Sequence, residues 1–434
     1  MNYEETLEFL FNSLPMYQRI GAAAYKADLE NTNALMELTD HPHQKFKSIH
    51  IAGTNGKGSV SHMLASIFQE AGYKTGLYTS PHLTDFRERI RINGKKIDKN
   101  YICDFVNHYH SDFLNIKPSF FEMTVAMAFD YFAKEEVDIA IIETGMGGRL
   151  DSTNVISPIL SIITNIGFDH TQFLGDTIAK ISVEKAGIIK ANTVVLINEY
   201  NDESAPVFIA KAEKENALLF FADDVCQIED YSTDIFQKDI LAQCFSEKIP
   251  IKSPLAGDYQ LKNIAGVISA IQLLNKHSAF TLETKHVQNG IENVVKNTEF
   301  FGRWQRIQDD PTIICDTGHN DHGLKLTLPK LLKIPHINLH IIIGVVNDKE
   351  VDKILPLFPK NAEYYFCRAS IPRALDSEAL QEKAKEHQLL GSKFSSVEEA
   401  IIEALNNAQK EDLIFIGGST FVVADALAYF QLND

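Results

Sequence analysis

Short, unbroken apolar runs alternate along the chain with stretches whose apolar residues recur at helical spacing. SIHIAG (48–53), VDIAIIETG (137–145), ILSIITNIG (159–167) and TVVLIN (193–198) form one set of runs. TIICDTG (312–318), NLHIIIGVV (338–346), EYYFCRA (363–369) and DLIFIGG (412–418) form a second. Such continuity predicts strands covered on both faces, and the alternation with helical patterns predicts α/β architecture with mostly parallel sheets. A polar, strand-poor segment, VVKNTEFFGRWQ (294–305), separates the two sets. We therefore expect an ATPase-like domain over 1–296, its sheet holding roughly six to ten strands, and a smaller doubly wound, Rossmann-like domain over 297–434. The region around 200–250, rich in acidic residues and phenylalanine, reads as a peripheral excursion from the first sheet with no assignable structure.

The first run leads into IAGTNGKGSVSHMLASIFQEAG. A strand ends at Gly53, and a turn of Thr54, Asn55, Gly56, Lys57, Gly58 and Ser59 follows. A helix then carries Val60, Met63, Leu64, Ile67, Phe68 and Ala71 on one stripe and stops at Gly72. Glycines let backbone N–H groups curl around phosphate oxygens, and a helix start adds partial positive charge. Lys57 is placed to bridge the β- and γ-phosphates of a nucleotide and Ser59 to hold magnesium. The spacing is shorter than in GxxxxGK[ST], and Gly58 separates Lys57 from Ser59.

Other polar residues stand where apolar runs end: Ser80 after GLYT, Glu143 closing VDIAII, His170 after ILSIITNIGFD, and Asp316 after TIIC. Ligands of open α/β sheets bind at the carboxyl ends of strands. Glu143 is followed by TGMGGRLDSTN, whose glycines permit close backbone approach. His170 by itself reads as a structural histidine, because magnesium prefers oxygen. Lys185 by itself reads as a solvated helix lysine beside Glu184.

Charge narrows the functional classes. With 58 acidic against 41 basic residues the formal net charge is −17, the wrong sign for a sequence-independent nucleic-acid binder. No stretch approaches the ~20 uncharged apolar residues of a membrane helix. The segment MNYEETLEFLFNSLP lacks the basic lead-in of a secretion signal. Cys103, Cys226, Cys244, Cys315 and Cys367 are scattered without a CxxC pair, which predicts neither a zinc site nor a disulfide framework and suits the cytoplasm.

GTNGKGS, TSPHL followed by FRERIRING, ETGMGGRLDSTN and TNIGFDHTQFLGDTIAKISVEKAGIIK together resemble the folylpolyglutamate synthase/dihydrofolate synthase family of Mur-type ligases. The likeness extends from LMELTDHPHQKFKSIHIAGTNGKGS to IFIGGSTFVVAD. It implies ATP-dependent ligation of L-glutamate to a folate-type carboxylate, through an acyl phosphate, with dihydropteroate or a reduced folate as acceptor. It implies ATP contacts at Gly53–Ser59, Asn263, Arg303 and Asp316, and a pair of magnesium ions held by Ser59, Ser80, Glu143, His170 and Lys185, the lysine as a carbamate. Catalytic roles fall on Lys57, His170, Lys185 and His319. The pterin falls to Ser119, Phe120, Phe121, Glu122, Leu150, Asp151 and Ser152, with Asp151 facing its amino-amide edge, and the incoming glutamate to His319 and Ser419.

Two departures from the family pattern touch details of nucleotide contact: Tyr259, not histidine, precedes Gln260, and DTGHND stands for DGAHNP. A ligase of UDP-linked cell-wall precursors predicts an additional N-terminal domain, for which a loop at residue 53 leaves little room. A non-catalytic nucleotide binder predicts loss of the metal-site residues, which are all present. A monomer is the expected state, with no nucleic-acid or membrane partner.

Overall fold

The computed structural model describes residues 1–15, 28–244, 247–347 and 351–433. Two separate α/β layers account for most of it. The first is an eight-stranded sheet in the order β4-β3-β2-β5-β1-β6-β7-β8. Its strands are β1 (Lys47–Ala52), β2 (Thr75–Tyr78), β3 (Ile90–Ile92), β4 (Lys95–Lys96), β5 (Ile139–Glu143), β6 (Leu160–Ile163), β7 (Val194–Ile197) and β8 (Leu218–Phe221). All pairings from β2 to β8 are parallel, and β3 and β4 add an antiparallel edge.

The order explains where a site must lie. The chain leaves β1 toward β2 on one side, then crosses back so that β6, β7 and β8 build the other side. Crossovers diverge there, opening a crevice beyond the carboxyl end of β1. Both faces of the central strands are covered, as their unbroken apolar runs predict: β5 and β6 are buried throughout. Ile49, Ile51 and Ile141 face one core, which also takes Val60, Met63 and Leu64; Ala140 and Ile142 face the other. The helix Lys57–Glu70 is buried continuously from Ser59 to Phe68, more than the single apolar stripe anticipates. Helices Gln260–His277 and Thr284–Glu292 cover its outward side.

The 200–250 region is not a peripheral excursion. Ala205–Lys214 is a helix, and β8 extends the main sheet. β9 (Cys226–Asp230), β10 (Lys238–Cys244) and β11 (Glu247–Ser253) then form an antiparallel sheet of their own. Every second residue of β10 and of the latter half of β11 points inward, so Ile240, Ala242, Ile249 and Ile251 join the same core as the helix Lys57–Glu70. Most of its outward positions are polar, Leu241 and Pro250 excepted, and that alternation hides the apolar face from a search for continuous runs. The sheet also corrects the cysteine reading, because Cys226 and Cys244 oppose each other across β9 and β10 as a disulfide, Cα–Cα 4.2 Å. Residues 18 apart in sequence become neighbours only through the hairpin.

The second layer is a six-stranded sheet, β12-β13-β17-β14-β15-β16. It comprises β12 (Gln305–Gln308), β13 (Thr312–Cys315), β14 (Leu339–Ile343), β15 (Glu363–Phe366), β16 (Gly391–Lys393) and β17 (Leu413–Gly417). Only β12 runs antiparallel. β13 and β17 are adjacent, so the segments after them, carrying Asp316, Thr317, His319 and Ser419, emerge side by side. Among the described residues no helix is long and apolar enough to cross a membrane.

One close packing contact fixes the helix Lys57–Glu70. Gly290 accepts a hydrogen bond from Ser66 Oγ at 2.6 Å, and a Cβ there would stand 2.6 Å from the Ile67 Cα. Gly290→Ala is therefore expected to cost about 1–3 kcal/mol, seen as a lowered urea midpoint at unchanged m-value. An unchanged midpoint would show that the two helices separate freely.

Candidate active site

The turn after β1 needs its glycines. Gly53 has φ +151°, and a Cβ on it would fall 1.8 Å from Thr164 Oγ1, at the end of β6. Gly56 has φ +85°, and its Cβ would meet Asn263 Oδ1 at 2.3 Å. The turn is strapped to β6 and its following loop: Thr164 Oγ1 donates to the Asn55 carbonyl at 2.6 Å, the Asn55 N–H to Asn165 Oδ1 at 2.8 Å, and Thr54 Oγ1 to the Gly167 carbonyl at 3.0 Å. Ser59 in the first helical turn receives Gln260 Nε2 at 3.1 Å, and Gln260 Oε1 in turn accepts from Asn263 Nδ2 at 2.8 Å.

Lys57 folds back over the turn, donating to the Gly53 and Thr54 carbonyls at 3.0 and 3.2 Å. Burial lowers its pKa, opposed by the nearby charges of Glu143 and Asp169. Glu143, at the end of β5, is 4% exposed and accepts the Ser80 N–H at 3.2 Å. Burial pushes its carboxyl up to about 7, against the opposing pull of Lys57. Lys185 is 2% exposed, not the solvated helix lysine that sequence alone suggests. Burial, then the charge of Lys57, brings its amine down to about 7.

His170 sits in the left-handed region, φ +50°, and starts a short helix. Its neighbour Asp169, which sequence reasoning missed, lies between two histidines. Its carboxylate is 3.8 Å from His170 Nε2 and 3.6 Å from His319 Nε2. His319 is oriented by donating Nδ1–H to the Thr317 carbonyl at 3.0 Å. The adjacent DH pair was the available signal for Asp169, and its charge also reaches Lys57 and Lys185.

Residues of the second sheet close the cleft. Asp316 is held by three donors, Tyr259 Oη at 2.7 Å, the Trp304 N–H at 2.8 Å and the Gly318 N–H at 2.7 Å. Asn55 and Asn320 exchange side-chain amide hydrogen bonds at 3.4 and 2.9 Å, joining the glycine turn directly to the second layer. Ser419 is buried at the start of the helix Thr420–Asn433, and its Oγ accepts the Phe421 N–H at 3.2 Å. The cleft between the layers is lined by Gly58, Ser80 and Glu143 on one side and by Arg303, Thr317 and Thr420 on the other.

The sequence-predicted pterin residues divide by role. Ser119 and Glu122 form a capping box for the helix Phe120–Lys134, and Glu122 also accepts from Asn31 Nδ2 at 3.3 Å. Phe120 is buried against Phe11 and Phe86 beneath the Arg89 guanidinium. Phe121 is only half-buried and lies over Gly145, where a Cβ would be 2.5 Å from its ring. Asp151 receives four donors from its own loop: the Gly145 and Met146 N–H groups at 2.8 and 2.9 Å, and the Thr153 N–H and Oγ1 at 3.0 and 2.5 Å. Its carboxylate thus organises the glycine-rich loop between Leu150, Ser152 and β5, and its two oxygens are already occupied.

Glu143 yields a stability test with a definite sign. A carboxyl whose folded pKa is raised favours the protonated form, so its penalty develops as pH climbs from the unfolded value through about 7. Glu143→Gln should raise the urea midpoint of ligand-free protein at pH 8 and lose that advantage toward pH 5. A gain of equal size at both values, or a loss at pH 8, would contradict the burial argument.

Comparison with known proteins gives the family. The Mur ligase middle domain model matches residues 51–271, and the Mur ligase glutamate ligase domain model matches residues 302–420. The dihydrofolate synthase/folylpolyglutamate synthase of Bacillus subtilis is 30% identical over 414 residues, 92% of this chain and 94% of that protein. A probable bifunctional folylpolyglutamate synthase/dihydropteroate synthase of Haloferax volcanii is 28% identical over 98% of this chain, which spans 50% of that relative's length. Among solved structures, Escherichia coli FolC in complex with DHPP and ADP superposes with a TM-score of 0.85 at 25% identity, covering 100% of this chain and 98% of its own. The chain belongs to the dihydrofolate synthase/folylpolyglutamate synthase family, ATP-dependent ligases of the Mur type.

Proposed function

We propose that this ligase joins L-glutamate to a folate-type carboxylate by way of an acyl phosphate formed in the cleft, and that it accepts dihydropteroate as well as reduced folates. The observation that carries the reading is the set of ionisable groups around the glycine turn, half-buried Lys57 with buried Glu143 and Lys185. A carboxylate does not condense with an amine in water, because hydroxide is a poor leaving group; transfer of a γ-phosphoryl group makes phosphate the leaving group instead. Lys57 and the N–H groups of residues 56–59 would steady charge on the transferring oxygens, those of Thr54 and Asn55 being taken by Asn165, with Asn263, Arg303 and Asp316 completing the nucleotide site. The neutral amine of glutamate, held near His319 and Ser419, would then attack the acyl carbon.

The donor set suits magnesium. Ser59 and Ser80 offer hard hydroxyl oxygens, and a divalent cation would restore Glu143 to its charged form. No group of three or more histidine, cysteine or acidic side chains of metal-binding geometry occurs among the described residues, so the set needs another anionic oxygen. A carbamate on Lys185 would supply one, and a buried amine with a pKa near 7 is largely neutral and nucleophilic toward carbon dioxide at pH 8. Bound there with Glu143 and His170, magnesium would supply charge stabilisation for the phosphoryl oxygens.

Phe121 is the ring best placed to stack on a pterin, supported by Phe120 and by the Ser119–Glu122 cap; Leu150, Asp151 and Ser152 shape the loop beside it. We assign residues 1–296 to the nucleotide and pterin side and 297–434 to the glutamate side, closing on each other to keep water from the acyl phosphate. The enzyme would act as a monomer in the cytoplasm, where ATP is available.

Phosphate release from ATP and magnesium tests this directly. It should require both glutamate and an acceptor, and proceed with dihydropteroate and with tetrahydrofolate. Activity with tetrahydrofolate alone would remove the dihydropteroate assignment, and release without an acceptor would remove the ligase mechanism. Bicarbonate-depleted enzyme should lose most of its rate and recover it with bicarbonate, with a ¹³C carbamate signal that Lys185→Arg lacks; full activity without that signal would remove the carbamate.

A further inference from the structure

Beyond Ser80 and Glu143, the cleft ends in a group of polar atoms that the assignments above leave unused. Arg91, on β3, lines it together with His62 of the helix Lys57–Glu70 and Thr317 of the second layer. Arg91 is 2% exposed, His62 5% and Thr317 2%. Three of their atoms, Arg91 Nε, His62 Nδ1 and Thr317 Oγ1, are buried without a hydrogen-bond partner. Native interiors rarely leave such groups unmatched, and the three residues that carry them line one cleft, which calls for a ligand.

Charge gives its sign. Arg91 Nη1 pairs with Glu299 at 2.8 Å, but Lys96 shares that carboxylate at 3.3 Å, so two cations face one anion. Glu88, which also lines the cleft, is taken up by the backbone N–H groups of Leu83, Thr84 and Asp85 at 2.7, 3.0 and 2.8 Å. Burial, with Arg91 and Arg303 nearby, keeps His62 neutral. The ring is stacked on Phe300 at 4.3 Å, and in the Nδ1–H tautomer its unpartnered nitrogen is a donor. A guanidinium edge, an imidazole N–H and a hydroxyl suit a carboxylate.

We propose that Arg91, His62 and Thr317 form a carboxylate subsite that reads glutamate in this cleft. The proposal rests on the ligase reading and extends it with residues that reading does not use. Two glutamate carboxylates could occupy it: that of the incoming amino acid, or that of the glutamyl tail on a folate acceptor. Dihydropteroate carries no glutamate, so it separates them.

Arg91→Met keeps the aliphatic stem and removes the guanidinium, leaving Glu299 to Lys96; His62→Phe keeps the stack on Phe300 and removes the N–H. Both are compared with wild type in steady-state kinetics with dihydropteroate and with tetrahydrofolate, varying each substrate, and with glutamine replacing glutamate. Each variant should raise one KM about tenfold or more, close to 1.4 kcal/mol of binding, with KM for ATP essentially unchanged. A rise in KM for glutamate with dihydropteroate, together with weaker discrimination against glutamine, places the incoming amino acid in the subsite. A rise confined to KM for tetrahydrofolate places the acceptor tail there. Folded variants with wild-type KM values for every substrate overturn the subsite while the ligase stands. A wild type without glutamate-dependent turnover refutes the ligase reading itself, and the subsite with it. Should Arg91→Met fail to fold, His62→Phe, which preserves the ring packing, carries the same test.

Discussion

The site depends on charge held out of water at the carboxyl end of β1. Glu143 and Lys185 are buried and Lys57 is half-buried beside them, and desolvation shifts all three toward their neutral forms. Left to itself such a group favours unfolding. A nucleotide's phosphates and a divalent cation would supply the missing counter-charges, so the same burial that weakens the empty site would strengthen its hold on them. The glycine turn is shaped to allow this, since Gly53 and Gly56 press against Thr164 and Asn263 at distances no side chain permits.

Polar contacts tie the second layer to that turn and to the segments around it. Asn55 pairs with Asn320, and Tyr259 donates to Asp316. Asp258, next to Tyr259, accepts Lys238 from β10 at 2.9 Å and Lys330 from the second layer at 3.2 Å. The antiparallel sheet β9–β11 therefore serves as a brace between the layers, with Trp304 Nε1 donating to the Ile235 carbonyl at 3.2 Å. Polar interdomain contacts of this kind can exchange partners as a cleft opens and closes.

The parallel strands and the strand–glycine turn–helix unit are legible in sequence because continuous apolar runs and a glycine turn between strand and helix leave local signatures. The antiparallel brace was not, since its apolar face alternates with polar residues and its meaning comes from what it packs against. Lys185 was legible only by resemblance: no propensity distinguishes a lysine buried beside Lys57 from a solvated one next to Glu184. Asp151 shows the reverse limit, because its likeness to a ligand-facing carboxylate gives no hint that four donors from its own loop already hold it. Asp169, Arg91 and His62 escaped because their importance lies in three-dimensional neighbours, among them His319 and Phe300, far away in sequence.

In the proposed mechanism, phosphorylation of the acceptor carboxylate precedes attack by glutamate. It is tested by supplying acceptor whose reacting carboxylate carries ¹⁸O in both oxygens and analysing the released phosphate by mass. An acyl phosphate predicts one ¹⁸O transferred into each phosphate formed. Phosphate free of label, with product still forming, would mean that ATP is consumed in some other step and would contradict the mechanism.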